Sequence, residues 1–171
     1  PERTVLVDSL SKRIAPGLTV GFLAPPAGDA DRVAAALRTG GWTAQHFALA
    51  AATHWMADGT ADAIARVKRR DAAARQQIAR TRLAGFAVHA DPGAYHCWWE
   101  LPEPWRAETF VAAAARHGIA VTPAAAFTVG PGHAPNAVRL ALASPPPATL
   151  SDALEVLAAL AHGTPEDSSV E

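Results

Sequence analysis

The chain has little cysteine, little lysine and no long apolar run, and the first and the last of these shortages each exclude a class of protein. The single cysteine, Cys97, cannot form a disulfide within the chain, which favours a reducing, cytoplasmic setting. No apolar run reaches the roughly 18 residues that a membrane span needs, and no signal peptide is visible. The 15 basic and 16 acidic residues give a net charge of −1, which argues against a nucleic-acid-binding surface.

Lysine is scarce although basic residues are not. Lys12 and Lys68 are the only lysines among the 15 basic residues, and the others are arginine. We interpret this bias as GC-rich coding, so that a lysine that persists is a candidate for a role that needs an amine. The 171 residues suit one ordinary domain or two small ones. Because the chain begins with Pro1 rather than Met, we expect a processed protein or a segment of a longer one.

Hydrophobic periodicity and turn residues predict an α/β chain in which strands precede and follow a block of helices. The predicted strands are 4–7, 20–23, 86–89, 95–101, 119–122 and 137–143, of which 4–7 is typical of a buried strand. The predicted helices are 29–38, 42–56, 61–83, 106–117 and a last one that ends at His162. Thr60 and a capping box at Thr149 and Asp152 are expected to begin helices, and Gly85 to end one.

The longest predicted helix, 61–83, has an apolar and a basic face. The apolar stripe consists of Ile64, Val67, Ile78 and Leu83. The basic residues are Arg66, Lys68, Arg69, Arg70, Arg75, Arg80 and Arg82. We interpret the basic face as solvated rather than as a DNA contact, because Asp62 and Asp71 lie among the arginines.

The strongest candidate site is the segment Ser9-Leu10-Ser11-Lys12-Arg13-Ile14-Ala15-Pro16-Gly17-Leu18-Thr19-Val20-Gly21-Phe22. Its lysine lies between two predicted strands and follows serines at the −3 and −1 positions. Hydroxyls and loop amides can hold a phosphate, and an amine beside them can form a Schiff base with an aldehyde. Pyridoxal phosphate needs both groups, so the segment is a candidate site for this cofactor. The alternative interpretation is a plain loop lysine that is exposed to solvent.

This segment resembles the cofactor-lysine region of fold-type I pyridoxal-phosphate aminotransferases, especially the MocR-like regulators of the GntR superfamily. Their pattern is Ser-Phe-Ser-Lys-x-Leu-x-Pro-Gly-Leu-Arg-x-Gly-Tyr. Further matches follow in the family's order: Gln45 to Ala50, Asp58-Gly59, the basic helix with Lys68-Arg69-Arg70, Gly93 through Trp98 to Leu101-Pro102, Gly118 to Pro123 with Phe127, and Val138-Arg139-Leu140. The ordered set covers nearly the whole chain and is far more specific than any single piece.

The resemblance implies a fold of two parts. Residues 1–59 are expected to finish the large cofactor-binding domain of a pyridoxal-phosphate-dependent transferase. Residues 60–165 are expected to form the small α+β C-terminal domain, and 166–171 a disordered tail. The resemblance also implies a homodimer that binds an amino acid or amine.

The resemblance assigns roles to five residues. Lys12 matches the lysine that forms the internal aldimine with pyridoxal phosphate, and Ser9 and Ser11 match the phosphate-side hydroxyls. Arg139 matches the arginine that grips the substrate carboxylate, a task that suits the two parallel donors of a guanidinium. Thr19 stands where the family has its phosphate-binding arginine, which implies a lower phosphate affinity or compensation by another basic residue such as Arg13. No metal site is expected.

A second departure from the family concerns Ala124, which replaces the glycine of the late turn. This replacement implies a less strained backbone there.

Three functions are compatible with this pattern. The first is a pyridoxal-phosphate aminotransferase, and the second is the effector-binding part of a MocR-type transcription regulator, which we favour. In that case DNA would be bound through an N-terminal domain outside this chain. The third is a non-catalytic remnant in which Lys12 is a plain loop lysine. Because the family's partner for the ring nitrogen and its stacking aromatic lie before the lysine, these 171 residues alone are expected to bind the cofactor weakly and to transaminate negligibly.

The remaining candidates are weaker. His46 and His54 share a helix face but have no third ligand. Cys97 has no visible base, and Gly130-Pro131-Gly132 lacks the strand and helix of a dinucleotide site. Trp98, Trp99 and Trp105 are interpreted as packing residues.

Overall fold

The computed structural model of the protein describes residues 2–40, 44–130 and 132–167. The chain divides into two compact units, 1–68 and 69–171. The predicted helix over 42–56 begins outside these ranges. Gly41, Pro131 and the tail residues 168–171 also lie outside them. Of the predicted tail, Glu166 and Asp167 are described, and the Asp167 carboxylate accepts hydrogen bonds from the backbone N–H and the hydroxyl of Thr164.

The first unit is built from a two-stranded sheet and helices. Its elements are β1 (Leu6–Ser9), α1 (Leu10–Arg13), β2 (Gly21–Ala24), α2 (Ala30–Thr39), α3 (His46–Ala57) and the start of α4 (Thr60–Arg82). β1 and β2 are antiparallel, with Asp8 opposite Phe22. The core of this unit is small and consists of Leu10, Ile14, Val20, Ala48 and Ala52.

The predicted strand 4–7 is shifted and is not buried. Pairing with β2 begins at Leu6 and extends to Ser9, because Gly21–Ala24 offers partners for those four residues only. The apolar side chains of Val5, Leu6 and Val7 are 49%, 52% and 71% exposed. The expectation of a buried strand was therefore wrong for the described part of the molecule.

The second unit is a four-stranded antiparallel sheet covered by helices. Its further elements are β3 (Ala87–His89), β4 (His96–Glu100), α5 (Ala107–Arg116), β5 (Thr122–Pro123), β6 (Ala137–Ala141) and α6 (Pro147–His162). The strand order is β3-β4-β6-β5. One face of the sheet is buried in a core that includes Trp99, Trp105, Phe110, Leu142 and Leu154. Burial of Trp99 and Trp105 confirms their prediction as packing residues.

The opposite face of this sheet carries a row of residues that lie directly across from one another. His89 pairs with Trp98, Trp98 with Arg139, and Arg139 with Thr122. Because side chains alternate along a strand, these four lie on the face that Trp99 and Val138 do not share. Trp98 is thus not a core residue like Trp99 and Trp105, but belongs to the face of Arg139.

The structure corrects several local predictions. The strand expected over 119–122 is reduced to two residues, because the N–H of Ile119 donates to Ala114 at the end of α5. The expected capping box at Thr149 and Asp152 was wrong, since α6 begins at Pro147 and Pro146 is its N-cap. Thr60 is itself the first residue of α4, and its N–H donates to the Asp58 carboxylate.

The faces of α4 also differ from the prediction. Val67, expected in the apolar stripe, is 60% exposed. Arg75, expected on the solvated face, is 9% exposed, because its guanidinium donates to the carbonyl oxygens of Leu142 and Pro145. The guanidinium also pairs with Asp71 at 2.8 Å.

Candidate functional site

Lys12 lies in a short helix rather than in a loop. β1 ends at Ser9, and the next four residues form α1. The N–H of Leu10 donates to Val20 at 3.0 Å, and Leu10 and Ile14 are buried in the core of the first unit. Because these two residues face inward, Lys12 faces outward and is exposed. The helix is followed by a turn at Pro16 and Gly17, whose φ of +97° favours glycine.

The candidate phosphate-side residues lie around the same helix. The hydroxyl of Ser11 donates to the carbonyl oxygen of Leu18 at 2.7 Å, which ties α1 to the loop that precedes β2. Thr19 follows Leu18 and is exposed, and Ser9 is half-buried at the end of β1. The structure therefore brings Ser9, Ser11, Lys12 and Thr19 together in one segment, but the proton of Ser11 already has a protein acceptor.

An ion pair between Asp8 and Arg13 joins the two ends of this segment. The Arg13 Nε donates to one carboxylate oxygen of Asp8, and the other oxygen accepts the N–H of Ser9 at 2.6 Å. These hydrogen bonds, first that of Arg13 and then that of Ser9, hold the pKa of Asp8 below its usual value. The sequence interpretation considered Arg13 but missed Asp8. The spacing of five residues across a strand and a turn of helix is the only signal that could have suggested the pair.

A second lysine supports α1 from α4. The Lys68 Nζ donates to the carbonyl oxygen of Ile14, at the C-terminal end of α1. Cations near the end of a helix satisfy carbonyl groups that have no partner within the helix. The two lysines of the chain therefore lie near the same short helix within the first unit.

Arg139 lies on β6, in the second unit. Its guanidinium carbon is 4.6 Å from the ring centroid of Phe127, and the Phe127 ring meets the Trp98 ring edge-on at 6.2 Å. The Nε of Arg139 is buried and, among the described residues, has no hydrogen-bond partner. An alternative interpretation was an arginine held in a salt bridge, but no described carboxylate pairs with it.

The pKa of a neighbouring histidine, His96, responds to its burial and to the charge of Arg139. The pKa of His96 lies below its usual value, first because of burial and then because of the Arg139 guanidinium. A buried donor without a partner costs free energy, and a carboxylate offers the geometry to satisfy it. The Arg139 guanidinium, stacked on the Phe127 ring, therefore has a donor to which a carboxylate could bind.

The turn before this site has an ordinary backbone. Ala124 begins a short 3₁₀ helix over Ala124–Phe127 that positions Phe127. No described residue other than glycine has a positive φ, which includes Ala124. Ala124 therefore does not adopt the left-handed conformation that favours glycine.

The weaker candidates do not form sites in the described parts of the chain. Cys97 is buried in the core, and burial raises the pKa of its thiol to about 11. His46 and His54 are exposed on α3, and His54 pairs with Asp58 at 3.5 Å. Within residues 2–40, 44–130 and 132–167, no three His, Cys, Asp or Glu side chains are grouped to bind a metal ion. In the same ranges, no helix has both the length and the apolar character needed to cross a membrane.

Comparison with known families identifies the class of protein. The family described as aminotransferase class I and II matches residues 1–157. The chain therefore belongs to the class I and II aminotransferase family, whose cofactor is pyridoxal phosphate. The curated proteins contain no match to this chain.

Solved structures share the fold at low sequence identity. The kynurenine aminotransferase of Pyrococcus horikoshii is 19% identical with a TM-score of 0.80, over 94% of this chain and 41% of that one. The multiple substrate aminotransferase of Thermococcus profundus is 20% identical with a TM-score of 0.77, over 96% and 41%. LysN, the α-aminoadipate aminotransferase of Thermus thermophilus, is 21% identical with a TM-score of 0.75, over 93% and 42%.

These similarities confirm the fold class. The mixed α/β architecture is that of fold-type I aminotransferases, as the Lys12 motif predicted. The chain spans about two fifths of the length of these solved relatives.

Proposed function

We propose that this chain is the C-terminal part of a pyridoxal-phosphate-binding, aminotransferase-like protein in which Lys12 attaches the cofactor. The observation that carries the proposal is the exposed Lys12 amine on α1, in a segment with two serines and within the family's fold. The cofactor, when bound, supplies an aldehyde for the amine and an electron sink for the substrate's α-carbon. A lysine released from that attachment can move a proton to or from the substrate carbon.

The residues of this segment fit the cofactor in part. An accessible amine and the hydroxyl of Ser9 are available, whereas Ser11 must give up its bond to Leu18 before it can donate to a phosphate. Thr19 would offer a neutral hydroxyl. The fit to the aldehyde is therefore better than the fit to the phosphate.

Arg139 is proposed to hold the carboxylate of the amino-acid ligand. The support is its buried, unpartnered Nε on a sheet face that also presents Trp98 and Phe127. Two parallel N–H donors of a guanidinium match two carboxylate oxygens, and the match is lost with lysine.

The larger protein is proposed to be a MocR-type transcription regulator that senses the ligand through this fold. The match of Ser9-Leu10-Ser11-Lys12 and Pro16-Gly17-Leu18 to the regulators' pattern supports this. The second candidate, a stand-alone aminotransferase, is supported by the solved relatives, each of which is named as an aminotransferase. Specific binding of the whole protein to DNA through a part that precedes this chain would select the regulator. Transamination by the whole protein without DNA binding would select the enzyme.

The same proposal covers domain organisation and assembly. Residues 1–59 would finish the large cofactor domain, 60–165 would form the small domain and 166–171 a tail, in a cytoplasmic homodimer. Exposed apolar side chains support the incomplete large domain, since Val7, Phe47 and Met56 are 71%, 82% and 61% exposed. Analytical ultracentrifugation of the whole protein measures the dimer.

The role of Lys12 is tested by trapping the attached cofactor. The protein that contains this chain is incubated with pyridoxal phosphate, reduced with borohydride and digested, and the modified peptide is located by mass spectrometry. We expect the pyridoxyl group on Lys12 and not on Lys68, and we expect K12A to lose both the label and the visible absorbance band. K68R is the matched control, because Lys68 is the other lysine of the chain and lies near the same helix. A label on another residue, or a band unchanged in K12A, contradicts the proposal.

A further inference from the structure

The segment around the Lys12 amine has few basic residues, and the guanidinium beside Lys12 already has a carboxylate partner. Within the segment 8–22, the only basic residues are Lys12 and Arg13. Arg13 donates its Nε to Asp8, while Asp8 also accepts the N–H of Ser9. The guanidinium next to Lys12 therefore has a carboxylate partner at the start of the same segment.

The hydroxyls of the segment do not replace a cation. A phosphate monoester carries a charge of roughly −1.5 to −2 at neutral pH and binds most strongly to charged donors. The Ser11 hydroxyl donates to Leu18, and Thr19 is neutral. Among the residues of this segment, Arg13 is thus the guanidinium that a phosphate would have to recruit.

We infer that Asp8 and the phosphate of the cofactor compete for Arg13, so that Asp8 lowers the affinity of this site for the phosphorylated cofactor relative to pyridoxal. The inference rests on the proposed function of Lys12 and extends it to the preference for the phosphate group. The site would distinguish pyridoxal phosphate from pyridoxal to a different degree when the Asp8–Arg13 ion pair is closed than when it is open.

Arg13 is free to change partners. Its side chain is 49% exposed, whereas that of Asp8 is 17% exposed and is held by the Ser9 N–H. Arg13 also lines a cavity of about 230 Å³ together with Leu10, Phe22 and Asp62. The Asp8 carboxylate is charged at neutral pH, like an ordinary aspartate, and there competes with the phosphate.

The test compares the affinities of pyridoxal phosphate and pyridoxal, measured by the absorbance of the lysine adduct in the protein that contains this chain. We expect D8N to raise the affinity for pyridoxal phosphate about tenfold, the scale of one charge-assisted hydrogen bond, and to leave pyridoxal unchanged. Asparagine keeps an oxygen for the Ser9 N–H and removes the charge. Inorganic phosphate should also compete more strongly in D8N than in the wild type, which shows that the phosphate group itself is recognised.

Two further variants separate the pair from a general charge effect. D29N removes a carboxylate from another exposed ion pair of the same unit, Asp29 with Arg32 at 3.0 Å, and should leave the ratio of the two affinities unchanged. R13M should lower the affinity for pyridoxal phosphate alone, and D8N should have no effect in the R13M background. Circular dichroism confirms that each variant is folded.

Each other outcome overturns the inference. Equal effects of D8N and D29N, or a D8N effect that persists in R13M, would show that Arg13 is not the contested cation. If both aldehydes form an adduct and the ratio of their affinities is the same in every variant, the role of Lys12 stands and the competition is rejected. Absence of an adduct with either aldehyde rejects the proposed function together with the inference.

Discussion

Arg75 on α4 donates a hydrogen bond of 2.7 Å to the carbonyl oxygen of Leu142, the residue that follows β6. The same guanidinium donates to Pro145 at 2.7 Å and to the Asp71 carboxylate at 2.8 Å. A long helix and the end of the strand that carries Arg139 are thus joined through one buried side chain. Leu142 follows Arg139 by three residues, so this contact lies close along the chain to the candidate carboxylate site.

Replacement of Arg75 should destabilise the second unit. R75M removes three hydrogen bonds and leaves two carbonyl groups without their donor, so we expect a loss of about 2–4 kcal/mol in the free energy of unfolding. Urea denaturation followed by tryptophan fluorescence measures the change.

R80M is the matched control for R75M, since Arg80 lies on the same helix and is exposed. It should change stability by no more than about 0.5 kcal/mol. Equal stabilities of R75M and R80M would show that the buried contacts of Arg75 contribute nothing.

The pairing of Asp71 with Tyr95 predicts a pH dependence at both ends of the scale. The hydrogen bond from the Tyr95 hydroxyl, followed by Arg75, lowers the pKa of Asp71 from 3.8, so its contribution is complete above pH 3.8 and is lost as the pH falls through the folded-state pKa. Burial, followed by the bond to Asp71, raises the pKa of Tyr95 from 10.0. Its contribution is therefore complete below pH 10.0 and is lost as the pH rises through the folded-state pKa.

Unfolding free energies measured from pH 2 to pH 11 check both signs. Y95F should weaken the acid-side decline and abolish the alkaline contribution of this residue, because the phenol and its hydrogen bond are both removed. D71N should abolish the acid-side contribution and reduce the alkaline one. A wild-type profile that Y95F reproduces at both ends would contradict the prediction.

Most helices and strands could be predicted because their apolar residues repeat over enough positions to show a period. α4, α5 and β6 differ from their predicted ranges by no more than two residues at either end. α1 could not be predicted in this way, since four residues show no period. It forms because Leu10 and Ile14 reach the small core and Val20 accepts the N–H of Leu10.

The candidate site was predictable where it depends on residue type and not where it depends on partners. The motifs predict Lys12 and Arg139 as site residues, and the structure adds the exposure of one and the unpartnered Nε of the other. The Asp8–Arg13 pair and the burial of Arg75 depend on contacts across turns or over 67 residues of chain. A charged residue on a helix carries no sequence signal that tells a solvated position from one that satisfies distant carbonyl groups.

Cys97 should resist alkylation in the folded protein. Its side chain is 2% exposed, and burial raises the pKa of its thiol to about 11. At pH 8 about 0.1% of such a thiol is ionised, and the thiolate is the reactive form. Iodoacetamide should therefore label Cys97 slowly in buffer and rapidly in urea, as mass spectrometry measures. Equally fast labelling in the two conditions would place the thiol at an accessible, ionised position.

Replacement of Arg139 should remove recognition of a carboxylate while sparing the amine. In the whole protein loaded with cofactor, R139K keeps the positive charge but loses the two parallel donors, so we expect the affinity for an amino-acid ligand to fall about tenfold or more. The corresponding amine without the carboxylate should bind the wild type and R139K equally. F127A provides a second variant, because Phe127 stacks on the guanidinium at 4.6 Å, and it should weaken amino-acid binding less than R139K does. Titration calorimetry measures these affinities, and an equal loss for the amino acid and the amine in R139K would show that Arg139 acts through the fold rather than through the carboxylate.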